Sequence, residues 1–164
     1  MSKKDRIKRM IFIFGVCGLV FGGWKYLGLG ICHIGSESIH GHVGLVSDKL
    51  MAPFEAGDFV LFEWRGPDPQ GRGLKEGMIL NKQVFCRPGD SLEVTRFQAI
   101  CNGKRSRIVQ GTDSSGEPVT PFRYEGTIPP GKFFVIGEHP KSYDSRYWGF
   151  IDRGQIIAKM FLHI

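Results

Sequence analysis

The chain has 164 residues, which leaves room for one domain with a core of its own and excludes two full-sized domains. Its 23 glycines and 9 prolines, together with many aromatic residues, are typical of short strands joined by turns rather than of a helical protein. The net charge of +6 is concentrated at the start, where residues 1–9 hold five basic residues and one acidic residue, so we expect no nucleic-acid partner.

An uncharged run follows this basic flank and predicts a membrane anchor. Residues 10–24 would reach about 22 Å as a helix, which is less than the ~30 Å thickness of the hydrocarbon core. If the side chain of Lys25 bends toward the headgroups, the run continues to Ile34 and is long enough to span. We therefore predict a basic cytoplasmic flank over residues 1–9, a transmembrane helix over residues 10–31 and a folded domain over residues 32–164.

A cleaved signal peptide is the alternative for this segment, since exported proteins also begin with a basic and then an apolar stretch. No alanine precedes Ala52, so an Ala-x-Ala cleavage site is missing, although Gly28-x-Gly30 is a weak substitute. We favour the uncleaved anchor, with a single pass through the inner (cytoplasmic) membrane. Because positively charged flanks stay in the cytoplasm, we expect the domain to face the periplasm, an oxidising compartment.

A short polar stretch after the anchor offers nucleophiles and candidate ligands. Ser36 and Ser38 lie two residues apart, so their hydroxyls point to the same side of an extended segment. Small hydroxyl residues beside glycine are also ordinary loop material. His40 and His42 share this spacing, but no third ligand is evident in the sequence, so we expect no metal. A Ser–His–Asp triad stays a minor alternative, because no carboxylate stands out as the partner of a histidine.

Two apolar segments in the middle of the chain predict buried strands. The first, residues 59–64, is apolar on both faces at first and is followed by a surface loop over residues 66–77. The second, residues 84–86, ends at Pro88-Gly89, a pair that suits a type II turn. Lys82 lies at the start of this second strand. A lysine there either points outward from an edge strand or is buried for a function.

A β-hairpin is predicted after the turn, from residues 92–95 and 98–101. Cys86 and Cys101 flank it, and a disulfide between them would close a loop of about 15 residues and contribute ~3 kcal/mol in the chain-entropy model. Two buried free thiols are the alternative, and the spacing leaves both open. Residues 104–126 are polar, contain several turn signals and predict a mobile flap.

The last third of the chain is apolar again. Residues 132–137 and 155–161 predict two further strands. In the loop between them, Asp144 and Arg146 lie two residues apart, and we expect them to pair and to pin a turn, which is a structural role.

Taken in order, these segments resemble the type I signal peptidase superfamily over essentially the whole domain. The resemblance is carried by the basic flank and anchor, Ser36-x-Ser38, Gly57-Asp-Phe-Val-Leu-Phe62, Lys82 six residues before Pro88-Gly-Asp90, Phe133-Phe-Val-Ile-Gly137 and Ser142-x-Asp-Ser-Arg-Tyr-Trp-Gly149. The short length and the lack of a large inserted second domain are similar to the TraF-like peptidases, which mature conjugative pilin. The resemblance implies a mainly β, signal-peptidase-like coiled β-sheet domain with an N-terminal transmembrane helix.

The resemblance also implies roles for individual residues. It makes Ser38 the nucleophile and Lys82 the general base of a Ser–Lys dyad. It gives the Ser36 hydroxyl, with the Ser38 backbone N–H, to the oxyanion hole, and it makes Ser142 the residue that orients the lysine. It implies no cofactor.

The physical requirements of the reaction agree with these roles. A serine hydroxyl attacks only when a base takes its proton, and an amine is such a base only when it is neutral. The pKa of lysine is ordinarily near ~10.4 and must fall to roughly 7–8, which burial against apolar strands achieves. Val84 and Phe85 beside Lys82 are candidate walls of such a pocket.

The sequence therefore predicts a membrane-anchored serine endopeptidase that cleaves, and in the pilin-processing branch cyclises, an exported protein precursor such as conjugative pilin. Two alternatives stay open. One is a general type I signal peptidase that removes leader peptides from many proteins. The other is a non-catalytic assembly component of a conjugation or secretion machine, for which Ser38 and Lys82 would be dispensable.

Overall fold

The computed structural model describes residues 22–33, 43–49, 53–113 and 115–163. Eleven strands account for most of the regular structure in these ranges. They are β1 (Leu29–His33), β2 (Val43–Ser47), β3 (Phe59–Glu63), β4 (Ile79–Cys86), β5 (Ser91–Val94), β6 (Gln98–Cys101), β7 (Arg105–Ile108), β8 (Tyr124–Thr127), β9 (Lys132–Ile136), β10 (Ile151–Asp152) and β11 (Ile156–His163). A single-turn α-helix, Ser145–Trp148, and a 3₁₀ turn, Arg153–Gln155, lie between β9 and β11. The prediction of a mainly β domain is confirmed.

The strands form two antiparallel sheets. The larger has seven strands in the order β1-β2-β11-β3-β4-β9-β10, and the smaller has four in the order β7-β6-β5-β8. Most neighbours in the small sheet follow each other in the chain, which is typical of hairpins. In the large sheet β11 returns to lie between β2 and β3.

The strand β4 lies inside the large sheet, with β3 on one side and β9 on the other. Its register pairs Lys82 with Val60 of β3. Neighbouring residues on β4 alternate between the two faces, so Lys82 shares a face with Leu80 and Val84. Those two residues pack into an apolar cluster. β4 is not an edge strand and the Lys82 side chain is buried, so the outward-pointing alternative for Lys82 does not hold.

The turn after β4 has the geometry that its residues predict. The Asp90 N–H donates to the Arg87 carbonyl over 3.1 Å, and Gly89 has φ = +85°. Proline in the second position and a glycine with positive φ in the third define a type II turn. The turn redirects the chain from the large sheet into the small one.

The apolar side chains form two main clusters, one on each side of β4. The first contains Phe54, Val60, Phe62, Trp64, Val84, Phe133, Val135, Ile151 and Ile156. The second lies against the small sheet and contains Phe85, Cys86, Leu92, Val94, Ala99, Cys101, Ile128, Phe134 and Ile136. A disulfide joins Cys86 at the end of β4 to Cys101 at the end of β6. The pairing that the sequence left open is therefore a disulfide, and it ties the two sheets together inside the second cluster.

The described part of the predicted anchor is not one continuous helix. Residues 22–26 are helical, whereas residues 29–31 already belong to β1, which pairs with β2. Within the ranges that the structure describes, no helix has the length and apolar character needed to cross a bilayer. Residues 10–21 lie outside the described ranges, so the transmembrane helix and the division into flank, anchor and domain stay predictions, with any helix ending before Leu29.

The segment 104–126, which the sequence predicts as a mobile flap, contains strand residues at both ends, and its mobility stays a prediction. Arg105–Ile108 form β7, and Tyr124 begins β8. All four residues of β7, the outer strand of the small sheet, are exposed. An exposed edge strand has no alternation of buried and exposed positions, so its sequence gives no period-2 signal.

The disulfide predicts a measurable loss of stability when it is removed. Replacing Cys86 and Cys101 together by alanine should lower the free energy of unfolding by about 3 kcal/mol, since the bridge closes a loop of 15 residues in the unfolded chain. Urea denaturation of the oxidised protein measures this difference. Cys32→Ala is the matched control, because Cys32 is a half-buried free thiol. An unchanged urea midpoint for the double variant would contradict the stabilising role of the bridge.

Candidate active site around Lys82

Lys82 is a buried lysine with a polar partner. Its side chain is only 4% exposed. The amine Nζ donates a hydrogen bond to Ser142 Oγ over 3.1 Å, between residues sixty positions apart in the chain. Burial of an amine without an adjacent carboxylate hydrogen bond disfavours its charged form, because the charge loses its hydration.

The surroundings lower the pKa of Lys82 to about 8. The largest cause is burial, which penalises the ammonium form. The carboxylate of Asp144 raises the pKa and the guanidinium of Arg146 lowers it, so these two charges oppose each other at the amine. A lysine with a pKa of about 8 is partly neutral near physiological pH and can accept a proton, as a general base must.

The segment that carries Ser142 is attached to β9, the strand next to β4. The carboxylate of Asp144 accepts from the Gly137 N–H over 2.8 Å, and the hydroxyl of Ser145 accepts from the Val135 N–H over 3.0 Å. Asp144 also caps the helix Ser145–Trp148, because its side chain accepts from the Arg146 N–H. Ser142 therefore approaches Lys82 from a turn that is bonded to the neighbouring strand.

Arg146 is the centre of the hydrogen bonds in this region. It forms a two-pronged pair with Asp144, in which Nε–Oδ1 is 2.8 Å and Nη2–Oδ2 is 2.7 Å. The two side chains are 2% and 0% exposed. The remaining guanidinium protons go to backbone carbonyls of Ile108, His139, Pro140 and Ser142. A planar guanidinium suits such a site because it offers five donors in a fixed geometry.

Four of the six predicted site residues are thus found together. Lys82, Ser142, Asp144 and Arg146 form one buried cluster between β4, β9 and the following turn. Ser36 and Ser38 lie in residues 34–42, outside the described ranges, as do His40 and His42. In the chain they come between β1 and β2. Those two strands belong to the same sheet as β4. The catalytic roles of Ser38 and Lys82, the orienting roles of Ser36 and Ser142 and the structural roles of Asp144 and Arg146 stay predictions.

Nothing in the sequence singles out Asp68 or Tyr143, yet both belong to this region. The Tyr143 hydroxyl donates to the Asp68 carboxylate over 2.8 Å, which joins the loop after β3 to the turn that carries Ser142. Asp68 lies between two prolines in a stretch rich in glycine, and such a stretch predicts a loop without indicating what the loop contacts. The available signal is local. An aspartate in a turn-rich stretch favours an Asx turn, in which its carboxylate accepts from the backbone N–H two residues later, and Asp68 forms this bond with Gln70.

One other group of side chains has metal-ligand atoms close together among the described residues. It consists of Cys86, Asp90 and Cys101. Both sulfurs are used by the disulfide, and the Asp90 carboxylate accepts from the Arg87 N–H and the Asn102 amide. This set of residues is therefore a disulfide beside a turn and does not fit a metal.

Comparison with known proteins places these features in context. Residues 7–164 match the family described as "Signal peptidase, peptidase S26". The chain is 32% identical over 170 residues to a conjugal transfer protein TraF from Agrobacterium fabrum strain C58, covering 91% of this chain and 89% of that protein. It is 28% identical over 127 residues to a signal peptidase I from Leptolyngbya laminosa, covering 70% of this chain and 58% of that protein. Among solved structures, a signal peptidase I from Enterococcus faecalis V583 aligns with 24% identity and a TM-score of 0.39, over 63% of this chain and 93% of that chain.

The buried ion pair predicts a large effect of removing one partner. Asp144→Ala would leave the guanidinium of Arg146 buried without a counter-charge, and loss of one partner of a buried pair costs about 3–5 kcal/mol. Urea denaturation measures the cost. Arg65→Ala, which removes the exposed Arg65–Glu63 pair, is the control and should cost less than about 1 kcal/mol. Equal costs for the two variants would show that the buried pair does not stabilise the fold in the expected way.

Proposed function

The chain belongs to the signal peptidase family, peptidase S26, whose members are serine peptidases, and from that premise we propose that Ser38 and Lys82 form its catalytic dyad. The observation that carries the proposal is the buried Lys82 amine, with its pKa lowered to about 8 and its hydrogen bond to Ser142. A buried lysine with a strongly lowered pKa is costly for a fold to maintain, and such groups are concentrated at functional sites.

The proposed reaction proceeds through an acyl-enzyme. Neutral Lys82 takes the proton of the Ser38 hydroxyl as Oγ forms a bond to the carbonyl carbon of the substrate. The oxygen of the tetrahedral intermediate accepts hydrogen bonds from the Ser36 hydroxyl and the Ser38 N–H. The Lys82 ammonium then gives its proton to the leaving amine as the C–N bond breaks. Water, or a second amine, then attacks the carbonyl carbon of the ester while neutral Lys82 takes its proton. The bond between that carbon and Ser38 Oγ breaks, and the Lys82 ammonium returns the proton to Ser38.

The neighbours of Lys82 support its role as the base. Ser142 Oγ accepts a hydrogen bond from the amine and so fixes its direction. Asp144 and Arg146 bind each other on both prongs, so their opposite charges are held side by side. Their effects on the amine therefore oppose each other, and burial remains the dominant cause of the low pKa. We assign Ser142 to orientation and Asp144 with Arg146 to support of the turn.

The substrate that we propose is an exported, membrane-associated precursor, with conjugative pilin as the leading candidate. The support is the similarity to a conjugal transfer protein TraF along nearly the whole chain. The cleavage segment would bind as an added strand. Among the described strands, β1 is at the outer edge of the large sheet and leads directly into the segment that contains Ser38. If the amino end of the precursor intercepts the acyl-enzyme, the product is cyclic.

The proposed location is the inner membrane, with a single-pass anchor that begins at residue 10 and ends before β1 at Leu29, the basic flank in the cytoplasm and the peptidase domain in the periplasm. The buried disulfide is consistent with an oxidising compartment. A general signal peptidase is the second candidate, and the similarity to a signal peptidase I from Leptolyngbya laminosa favours it. The two functions differ in the number of substrates, since a general enzyme would process many unrelated leaders.

Substitution of the dyad provides the first test. Ser38→Ala removes the nucleophile and Lys82→Arg replaces the base by a guanidinium, which cannot be deprotonated in proteins, so each should abolish processing. Mass spectrometry of the candidate pilin from cells carrying each variant would detect unprocessed precursor. In wild-type cells, a product lighter than the linear form by one water would establish cyclisation.

The control is Lys132→Arg, because Lys132 is a half-buried lysine that pairs with Asp152 rather than with Ser142. Processing should be unchanged in this variant. Full processing by both Ser38→Ala and Lys82→Arg would overturn the peptidase proposal and favour the non-catalytic assembly component. Accumulation of many unrelated precursors in cells that lack the chain would favour the general signal peptidase.

The pH dependence of the reaction provides the second test. The amine is an effective base only above its pKa, so kcat/KM should rise with pH and level off above about 8. Below that value activity should fall about tenfold per pH unit as the ammonium form takes over. Initial rates on a peptide that spans the cleavage site, measured across this range, give the apparent pKa. An acid limb near the ordinary lysine value of 10.5 would contradict a buried base at position 82.

A further inference from the structure

Residues 66–77, which the sequence predicts only as a surface loop, make specific contacts with the turn that carries Ser142. The Asp68 carboxylate is the centre of this loop. Its Oδ1 accepts from the Gln70 N–H over 3.1 Å and from the Tyr143 hydroxyl over 2.8 Å, and its Oδ2 accepts from the Leu74 N–H over 3.0 Å. One side chain therefore orders its own loop and, at the same time, holds the residue that follows Ser142.

The protonation states of the two groups suit this bond. Burial acts to raise the pKa of Asp68, but the hydrogen bonds from Leu74, Tyr143 and Gln70 outweigh it, and the pKa is lowered. Burial and the hydrogen bond to Asp68 raise the pKa of Tyr143. The hydroxyl is therefore a donor and the carboxylate an ionised acceptor throughout the pH range in which the proposed base works. A hydrogen bond to an ionised acceptor is stronger than one between neutral groups.

The same loop also forms hydrogen bonds and an ion pair with the segment between β7 and β8. The side chain of Gln70 donates to the carbonyls of Thr120 and Tyr147, over 2.8 and 3.1 Å, and accepts from the Thr120 N–H over 2.8 Å. Arg72 forms an ion pair with Asp113 over 3.0 Å. The loop therefore contacts the segment between β7 and β8 and the carbonyl of Tyr147 in the short helix. Through Tyr143 it also contacts the turn that carries Ser142.

Tyr143 is itself held on its other side. Its ring stacks on Tyr147, with the ring centres 5.9 Å apart and the planes 22° apart. The hydroxyl of Tyr147 accepts from the Gln110 N–H over 3.1 Å. The preceding residue, Ser142, is fixed by its own N–H, which donates to the His139 carbonyl over 3.0 Å. The turn is thus attached to β9 through Asp144 and Ser145, and to the loop after β3 through Tyr143.

We propose that Asp68 and Tyr143 are positioning residues, which hold the Ser142 hydroxyl against the Lys82 amine and keep water out of the pocket. This inference rests on the proposed function, because it assigns a purpose to contacts around the proposed base. Neither residue touches the amine, so both act through Ser142. The contact joins residues 75 positions apart in the chain, and it is made at the residue next to the one that accepts from the lysine.

The proposal has a consequence that a purely structural contact would lack. Burial is the largest cause of the lowered pKa of Lys82, with Asp144 and Arg146 as the described charges that act on it. If the turn loosens and water reaches the amine, the pKa must rise toward its ordinary value of 10.5. A loss of stability without loosening of the turn would leave that pKa unchanged.

The test compares Tyr143→Phe with Tyr124→Phe in the full chain in detergent micelles. Both substitutions remove one hydrogen-bonded tyrosine hydroxyl, but that of Tyr124 donates to the Thr127 carbonyl in the small sheet. Carbon-13 NMR of lysine-labelled protein follows the titration of Lys82, whose signal is identified by its absence in Lys82→Met. We expect a pKa of about 8 in the wild type and in Tyr124→Phe, and a clearly higher one in Tyr143→Phe.

A second readout uses turnover of a peptide that spans the cleavage site. Tyr143→Phe should lower kcat by roughly tenfold, a part of the 10²–10⁴ that a positioned base contributes, with KM unchanged. Asp68→Asn keeps a carbonyl acceptor for the Tyr143 hydroxyl and should retain more activity than Asp68→Ala, which keeps none. If Tyr143→Phe does not fold, this pair of Asp68 variants decides the question by the same two measurements.

The outcomes separate the inference from the function on which it rests. An unchanged Lys82 titration in folded Tyr143→Phe, or a wild-type Lys82 titration in both Asp68→Asn and Asp68→Ala, overturns the positioning roles even if the enzyme is a Ser–Lys peptidase. Full activity of Lys82→Arg overturns the proposed role of Lys82 as the base, while the NMR titration still reports whether Asp68 and Tyr143 control the surroundings of the amine.

Discussion

The central constraint in this structure is the exclusion of water from the Lys82 amine. Lys82 occupies an interior strand, and its surroundings make the ammonium form unfavourable. A pocket of this kind cannot simply be apolar, because the amine needs an acceptor to fix its direction. Here the acceptor is a neutral hydroxyl, Ser142, and the described charges that act on the amine are a carboxylate and a guanidinium bound to each other. Paired in this way, Asp144 and Arg146 provide hydrogen bonds without imposing a large net field, so burial dominates the pKa of the lysine.

The rest of the domain encloses the strand that carries Lys82. The strands β3 and β9 close both sides of β4, and two apolar clusters pack on either side of it. Arg146 extends the support further, because its guanidinium also binds the carbonyl of Ile108 at the end of β7. The small sheet is therefore connected to the candidate site in two ways, through the disulfide at the end of β4 and through this guanidinium.

The parts of the fold that could be predicted from the sequence are those with a local signal. The strands β3 and β9 contain continuous apolar runs, β11 is mostly apolar, and the turn at Pro88-Gly89 has residues that determine its type. The resemblance to a known family pointed to Lys82, Ser142, Asp144 and Arg146, and these four are clustered in the structure.

The strand β7 was missed because all its residues are exposed. The bond between Asp68 and Tyr143 was missed because a contact between two loops leaves no periodic pattern. The disulfide could not be decided by spacing, since it depends on how β4 meets β6 in space.

The place of β11 in the large sheet has a consequence for the order in which the molecule is completed. This strand is the last of the described strands in the chain, yet it is the only link between β2 and β3 in the sheet. Among the described strands, the part of the sheet formed by β1 and β2 has no strand pairing with the part that contains Lys82 until residues 156–163 have been synthesised. The large sheet is therefore completed only when β11 pairs with both β2 and β3.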